Sequence, residues 1–260
     1  MISLEENIMK HTFYTVRSAS FQKSLRIALV ADMHAGDPKR VLKALDGLSP
    51  DCILLAGDIL EALDGSCDEK NRRAACIFKG CANIAPTFYC TGNHEDGGVR
   101  SGSRKWKRGE GKSRVYTEKN LELIKDSGVR MLINEYAVWN GIAIGGLASG
   151  LIMKNGVPDL DFLDRFAALE CPKVLICHHP EYYEPYIKKL NVDLTVSGHA
   201  HGGQWRIFGR GVYAPGQGLF PRYTSGVHDG RLVISRGLKT SLIPRFFNRK
   251  EIVIINICEE

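Results

Sequence analysis

Short runs of consecutive apolar residues recur along this chain, separated by longer stretches in which apolar and polar positions mix. Residues 25–31 (LRIALVA), 52–56 (CILLA), 87–90 (TFYC), 173–177 (KVLIC) and 194–196 (LTV) are too short for core helices and read as strands. None alternates strictly between apolar and polar, which implies burial on both faces. Residues 41–48, 71–79 and about 183–190 read as helices, and Thr117 is placed to cap another that runs to about 126. Further apolar runs at 131–133, 142–145, 204–208, 231–234 and 252–257 supply a second sheet. The expected fold class is α/β, two packed mixed sheets with helices outside. No repeat and no Pro-, Gly- or Ser-rich linker divides the chain. A single domain over 1–260 is therefore expected, with 1–24 as an N-terminal extension or first strand and 97–117 as a basic loop insertion.

The residues just past these strands bring in chemistry. The first run leads into Asp32-Met33-His34, the second into Gly57-Asp58, and the third into Thr91-Gly92-Asn93-His94-Glu95. The fourth leads into His178-His179-Pro180, and the fifth into Ser197-Gly198-His199-Ala200-His201-Gly202-Gly203. Ligands of α/β sheets gather beyond the carboxyl ends of strands, so these loops can converge on one place. Imidazole, carboxylate and amide oxygen together suit borderline divalent cations. Two cations roughly 3.5–4 Å apart can hold a phosphate, activate a water between them and neutralise developing charge. Such a pair needs a bridging carboxylate, and Asp58 suits that place. Asp32 and His34 stand two residues apart, as do His199 and His201. On extended backbone both members of each pair would point the same way. Gly57, Gly92 and Gly198 allow tight turns and close backbone approach.

Composition narrows the class further. The chain has 260 residues, 44% hydrophobic and 25% charged, as in a soluble globular protein with a real core. No apolar run approaches the roughly 20 residues needed to cross a bilayer. The opening residues lack the apolar stretch and cleavage site of a signal peptide. A cytoplasmic location is expected, with peripheral contact at the inner membrane face as an option. The eight cysteines include no CxxC pair, and several sit within apolar runs, so they read as reduced thiols rather than disulfides or a thiolate zinc site. The formal net charge is +6, and Arg100, Arg104, Lys105, Lys107, Arg108, Lys112 and Arg114 crowd one stretch with Glu110 as its only acid. That stretch reads first as a solvated loop, and second as a collar for an anionic substrate or membrane surface.

Taken in order, D-x-H, GD, GNH[DE], H-x-P and GHxH resemble the motifs of the calcineurin-like metallophosphoesterases, from about residue 25 to the end. The likeness is strongest to a bacterial branch whose last motif reads SGHTHGGQ and whose tail carries an SRGL-like stretch, an Arg/Pro-rich turn and a final strand. Here these read SGHAHGGQ at 197–204, Ser235-Arg236-Gly237-Leu238, and PRFFNRKEIVIINI at 244–257. Some members of that branch act on lipid-linked or cell-envelope phosphoesters, such as a UDP-diacylglucosamine pyrophosphatase. The resemblance implies a four-layer α/β/β/α sandwich and two divalent metal ions, manganese, iron or zinc. It implies that Asp32, His34 and His201 bind one ion, that Asn93, His178 and His199 bind the other, and that Asp58 bridges them. It places His94 over the phosphate, off the metals, as the group that stabilises charge and protonates the leaving oxygen, with Asn93 beside it in the catalytic set. The sequence departs from the branch in three ways. It shows no leading membrane helix or export signal, its stretch after Glu95 is longer and more basic, and the run ILEALD after Asp58 has no aspartate three residues on.

The function expected from all this is hydrolysis of a phosphate monoester, diester or pyrophosphate bond by hydroxide activated on the metals. The substrate would be a small-molecule, lipid-linked or nucleotide-type phosphoester. One alternative is a non-catalytic metal-binding interaction module on the same fold. Another is a nuclease whose residues 100–114 track a phosphate backbone, but only Trp106 interleaves the charges there and no nucleic-acid module is recognisable. The pairs Leu219-Phe220 and Phe246-Phe247 read as core packing or, with the basic loop, as a contact for a lipid interface. Glu95 is expected to accept from a ligating histidine, and His179 to face the rim of the site. Arg222, Tyr223 and Arg245 are expected to serve structure rather than substrate.

Overall fold

The computed structural model describes residues 9–96, 116–149, 157–239 and 245–259. The chain enters through β1 (Lys10–Arg17) and β2 (Leu25–Val30). Helix α1 (Lys39–Leu48) leads to β3 (Cys52–Ala56). Helices α2 (Asp68–Ala74) and α3 (Cys76–Ile84) lead to β4 (Thr87–Cys90), and α4 (Glu118–Lys125) leads to β5 (Arg130–Met131). A hairpin of β6 (Glu135–Trp139) and β7 (Ile142–Leu147) precedes α5 (Leu160–Ala167), β8 (Lys173–Cys177) and β9 (Leu194–Ser197). Two small hairpins come next, β10 (Arg206–Ile207) with β11 (Arg210–Gly211), and β12 (Tyr213–Ala214) with β13 (Gly218–Leu219). Last are β14 (Gly226–His228), β15 (Leu232–Ile234) and β16 (Glu251–Cys258).

Two six-stranded mixed sheets result, in the orders β1-β16-β2-β3-β4-β5 and β14-β15-β9-β8-β7-β6. Three apolar cores separate the layers. One packs Val41 and Leu45 of α1 and Phe78 of α3 on the outer face of the first sheet. The middle core joins the sheets face to face, with Leu29, Leu54 and Ile255 from one meeting Ile144, Ile176 and Val196 from the other. The third packs Phe162 and Phe166 of α5 on the far face of the second sheet. This is the four-layer α/β/β/α sandwich. The strands of its interior read as unbroken apolar runs because both faces are covered: every residue of β3 and of β8 is buried. Each fully buried Leu or Ile contributes about 1.5–3 kcal/mol. Thr117 caps α4 by accepting from the Asn120 backbone N–H, as expected, and Asp159 does the same for α5 through Phe162.

The strand at 52–56 and those at 87–90 and 173–177 fall where the apolar runs put them, but the division between sheets differs from expectation. β8 and β9 belong to the second sheet, beside β7 and β15. Met131 and residues 252–257 belong to the first. The cause is non-local: β16 returns from the end of the chain to lie between β1 and β2, and only the pairing partner decides the sheet. Residues 204–208 give only β10 in a two-residue hairpin, not a strand of the large sheet. The helix expected at 71–79 splits into α2 and α3 at Ala75, and 183–190 is replaced by a 3-10 turn at Pro180–Tyr182 and a wider π turn at Tyr183–Ile187. Residues 97–115, which hold most of the basic loop, lie outside the described residues. No helix among the described residues is long and apolar enough to cross a membrane.

Candidate metal centre

β2, β3 and β4 run parallel as neighbours in the first sheet, and β8 and β9 run parallel in the second. The loops after their carboxyl ends bring the expected side chains together. Asp32, His34, Asp58 and His201 offer ligand atoms within 4.8 Å of one another, and so do Asp58, His178 and His199. Asp58 belongs to both groups. Asp32 Oδ1 lies 3.3 Å from His201 Nε2 and accepts from the backbone N–H of His199 at 3.0 Å, which ties the first sheet's loop to the second's. Asp58 Oδ2 lies 3.3 Å from His178 Nε2 and 3.6 Å from His34 Nε2.

Asp32 and His34 fall in one donor group, whereas His201 joins them and His199 joins the other, and neither pair is on extended backbone. Asp32, His34, Asp58, His199 and His201 all take left-handed φ angles between 47° and 65°. A non-glycine residue held there costs on the order of 1–3 kcal/mol, so the surrounding fold must hold it. Part of that hold is Glu95. Its buried carboxylate accepts from the backbone N–H groups of Asp58, Ile59, Leu60 and Gly92 at 2.6–2.9 Å. Glu95 thus clamps two loops together through their backbones and does not accept from a histidine as expected. Burial and the charge of Asp58 push its pKa up to about 7, against the pull of the backbone donors. Gly92 packs its Cα directly on Asp58, and a Cβ there would collide with the carboxylate. At Gly57, φ is +77° and a Cβ would strike the His178 ring.

The electrostatics are those of anions enclosed by imidazoles. Burial by itself would raise the pKa of Asp58, but His178, His94 and His34 outweigh it and hold the carboxyl well below its usual range. Asp32 is lowered in the same way, with His201 as the main opponent of burial. Burial would lower His178, yet Asp58 and Asp32 raise it to about 10 while its Nδ1 faces the Ala56 carbonyl at 2.8 Å. His199 falls to about 3 through burial and the neighbouring His179.

The residues fit a cation centre on an independent count. Asp32 Oδ2, both ring nitrogens of His34, His178 Nε2 and Asn93 Oδ1 are buried without a hydrogen-bond partner. Buried polar atoms nearly always find partners, and the residues that carry these five fall in or next to the donor groups. Imidazole, carboxylate and amide oxygens in that mix suit divalent cations.

His94 stands beside this centre. Its backbone N–H donates to Asp58 Oδ1 at 2.9 Å, and its ring meets the His34 ring edge-on at 4.2 Å. Its Nδ1 pairs with Glu61 Oε2 at 2.7 Å, while Nε2 lies 3.9 Å from Asp58 Oδ2. Burial would lower the His94 pKa, but Asp58 and Glu61 raise it. Glu61 is the acid three residues after Asp58, at the position where an aspartate is missing from the sequence. It also takes Lys70 Nζ at 2.9 Å. The signal was present as a glutamate in place of an aspartate. Glu181 is the second group missed. Its Oε1 lies 3.2 Å from His179 Nδ1 and 3.5 Å from His199 Nε2, and the two imidazoles outweigh burial to hold it down at about 2. His179 also meets Ser149 Oγ at 2.6 Å, and both are buried. Arg245 spends its guanidinium on the carbonyls of Gly237 and Arg236, and the Tyr223 hydroxyl donates to Glu184. All eight cysteines are free thiols, with Cys52, Cys90 and Cys177 packed in the interior.

Two packed mixed sheets with a His/Asp cluster beyond their parallel strands define the metallophosphoesterase fold. The family model for calcineurin-like phosphoesterases matches residues 25–203, and the chain belongs to that family. It is 25% identical over 190 residues to an uncharacterised metallophosphoesterase of Helicobacter pylori, covering 70% of this chain and 46% of that one. It is 25% identical to the phosphodiesterase YaeI of Escherichia coli, covering 80% of this chain and 70% of the relative. It is 24% identical to the uncharacterised metallophosphoesterase YkuE of Bacillus subtilis, covering 98% and 87%. The chain spans about half or less of the length of most of the curated relatives it matches. Among solved structures, TT1561 of Thermus thermophilus aligns with a TM-score of 0.46 at 16% identity, over 68% of this chain and 82% of the other.

Proposed function

We propose that the chain hydrolyses a phosphoester with a pair of divalent cations, and that Asp58 is shared between them. The observation that supports this best is the membership of Asp58 in both donor groups, with Asp32, His34 and His201 on one side and His178 and His199 on the other. Asn93 joins the second group through its orphaned amide oxygen. When bound, such cations hold the phosphate oxygens, make water a nucleophile at neutral pH and offset developing charge. The protein supplies the rest. Glu95 and Gly92 fix Asp58, and the Ala56 carbonyl fixes the ring of His178. His94 presents Nε2 towards the centre and gives a proton to the leaving oxygen. Glu61 holds the other ring nitrogen and keeps His94 protonated to higher pH.

The substrate class in this reading is a monoester, diester or pyrophosphate of lipid-linked or nucleotide type. The test is release of p-nitrophenol from mono- and diester substrates after reconstitution with Mn²⁺, Fe²⁺ or Zn²⁺. Metal-dependent hydrolysis of at least one ester is expected. Full metal loading with no hydrolysis of any ester would leave the interaction-module reading in its place.

Glu61→Gln gives a sharper check on the proton donor. Protonated His94 is the active form, so its contribution is present below its pKa and lost as pH rises through it. Removing the Glu61 charge lowers that pKa. The alkaline limb of the kcat profile is expected to move to lower pH in Glu61→Gln, with metal content unchanged. An unmoved limb would show that Glu61 does not tune His94.

A further inference from the structure

Beside the metal centre lies a surface that the hydrolytic reading does not use. Phe208, Phe247, Phe220 and Leu219 are 102%, 82%, 75% and 72% exposed, and Ile207 and Phe246 add further apolar area. These are not scattered residues. Phe208 tips the β10–β11 hairpin and Leu219-Phe220 the end of β13, and the two hairpins are joined where Val212 N–H donates to the Trp205 carbonyl at 2.9 Å and Phe220 N–H donates to the Val212 carbonyl at 2.8 Å. Phe246-Phe247 join them through a bridge between Trp205 and Phe246 and through Arg206 N–H on the Phe246 carbonyl at 3.0 Å. The Asn248 side chain ties this group to the centre by donating to the carbonyls of His201 and Gln204 at 2.7 and 3.1 Å.

The exposed phenylalanines are also costly where they stand. Phe208, Phe220 and Phe247 have φ of 48°, 49° and 53°, the left-handed region that glycine or asparagine takes far more cheaply. Their side chains contribute little to packing, being in solvent. Neither backbone preference nor core burial accounts for a phenylalanine at any of the three. Exposed apolar side chains gathered on linked segments in this way mark an interaction surface.

Charge selects the partner. Residues 203–222 and 245–250 contain no aspartate or glutamate, and Arg210 and Arg249 are exposed there, whereas Arg206 and Arg245 donate to backbone carbonyls and Arg222 pairs with Glu184. Two copies of such a surface would oppose like charges across a two-fold interface. Ile207 and Leu219 stand exposed among the phenylalanines, and aliphatic side chains suit acyl chains rather than base stacking. Apolar tips among arginines are what an interface of acyl chains and anionic headgroups takes. We infer that this surface docks peripherally on a bilayer carrying anionic phospholipid, inserting Phe208, Phe220 and Phe247. The metal centre is then held near the membrane through Asn248, next to Phe247 in the chain. The inference stands on the exposed surface alone and does not depend on the centre being hydrolytic.

The test is co-sedimentation of the full chain with vesicles of phosphatidylglycerol and phosphatidylcholine in equal parts, against phosphatidylcholine alone. Wild-type protein is expected to pellet with the anionic vesicles and to remain in solution with the neutral ones. The variant Phe208→Ser/Phe220→Ser/Phe247→Ser is expected to lose more than about 100-fold in partition, from the apolar area withdrawn. Arg210→Ser/Arg249→Ser is expected to lose about tenfold or more on anionic vesicles. Both variants should keep the wild-type melting temperature and its rate on a soluble p-nitrophenyl ester, which separates lost docking from lost fold and from lost chemistry. Wild-type protein that ignores anionic vesicles, a triple variant that pellets as well as wild type, a dimer that the triple variant dissociates, or binding of single-stranded DNA in preference to vesicles would each overturn the proposal.

Discussion

Replacement of His94 by alanine is expected to lower turnover by about 10²–10⁴-fold, the range usual for a lost acid–base group. Divalent-ion content should remain at the wild-type level. The geometry separates the two effects. The part of His94 that supports the centre is its backbone N–H, which donates to Asp58 Oδ1 at 2.9 Å, and alanine retains it. The ring contributes a different function. Its Nδ1 is taken up by Glu61 at 2.7 Å, and its Nε2, 3.9 Å from Asp58 Oδ2, is too distant for a hydrogen bond and remains available to a substrate. The loss should depend on the leaving group. An alkoxide needs a proton as it departs, whereas p-nitrophenolate departs readily without one, so the deficit should be large on alkyl esters and small on p-nitrophenyl esters. Measured kcat on both classes, with elemental analysis of the same preparations, decides the matter. An equal deficit on both would remove the proton-donor role, and loss of bound ion would make His94 a ligand.

The residues of the centre were legible in the sequence because strand ends announce themselves. An apolar run that stops at Asp32 or at Gly57-Asp58 marks both the strand and the side chain that leaves it, and strands in parallel neighbours deliver those side chains to one edge. What the sequence did not carry was how the pairs are aimed. Asp32 and His34 converge through left-handed turns whose backbone N–H groups donate to the carbonyls of Gly57 and Asp58, and Asp58 is held in turn by the fourfold backbone clamp of Glu95 and the close approach of Gly92, contacts between loops far apart in the chain. Glu61 was hidden by the choice of acid rather than by position. Glu181 stands two residues past His179 and was hidden because its other partner, His199, follows a different strand. The sheet assignment of β16 failed for the same reason, since an apolar strand carries no mark of which neighbour it will join. The exposed phenylalanines were readable as apolar pairs, but only the fold shows that they stand in solvent rather than in a core.

Asp58→Asn should empty both cation positions together, with apparent affinity falling by about 100-fold or more, since even the outer hydrogen-bond partners of metal ligands are worth about 10–100-fold. The reasoning rests on sharing. His201 belongs to one donor group only and His199 to the other, so His201→Ala is expected to weaken one position and spare its neighbour. Asp58 belongs to both, and asparagine in its place keeps the size and one oxygen but gives up the charge that two cations would divide. The same substitution predicts a thermal signature. Ion bound to the native chain stabilises it by about 2.7 kcal/mol at a hundred times the dissociation constant, so Mn²⁺ should raise the melting temperature of the wild-type protein. In Asp58→Asn that rise should vanish at the same ion concentration, measured against the variant's own ion-free melting temperature, which the lost pairing with His178 will itself lower. Titration calorimetry and melting curves across a Mn²⁺ series give both quantities. If Asp58→Asn still takes up two ions per chain, or if its melting temperature still climbs with Mn²⁺ as in the wild type, the carboxylate does not join the two positions and the paired-cation reading loses its centre.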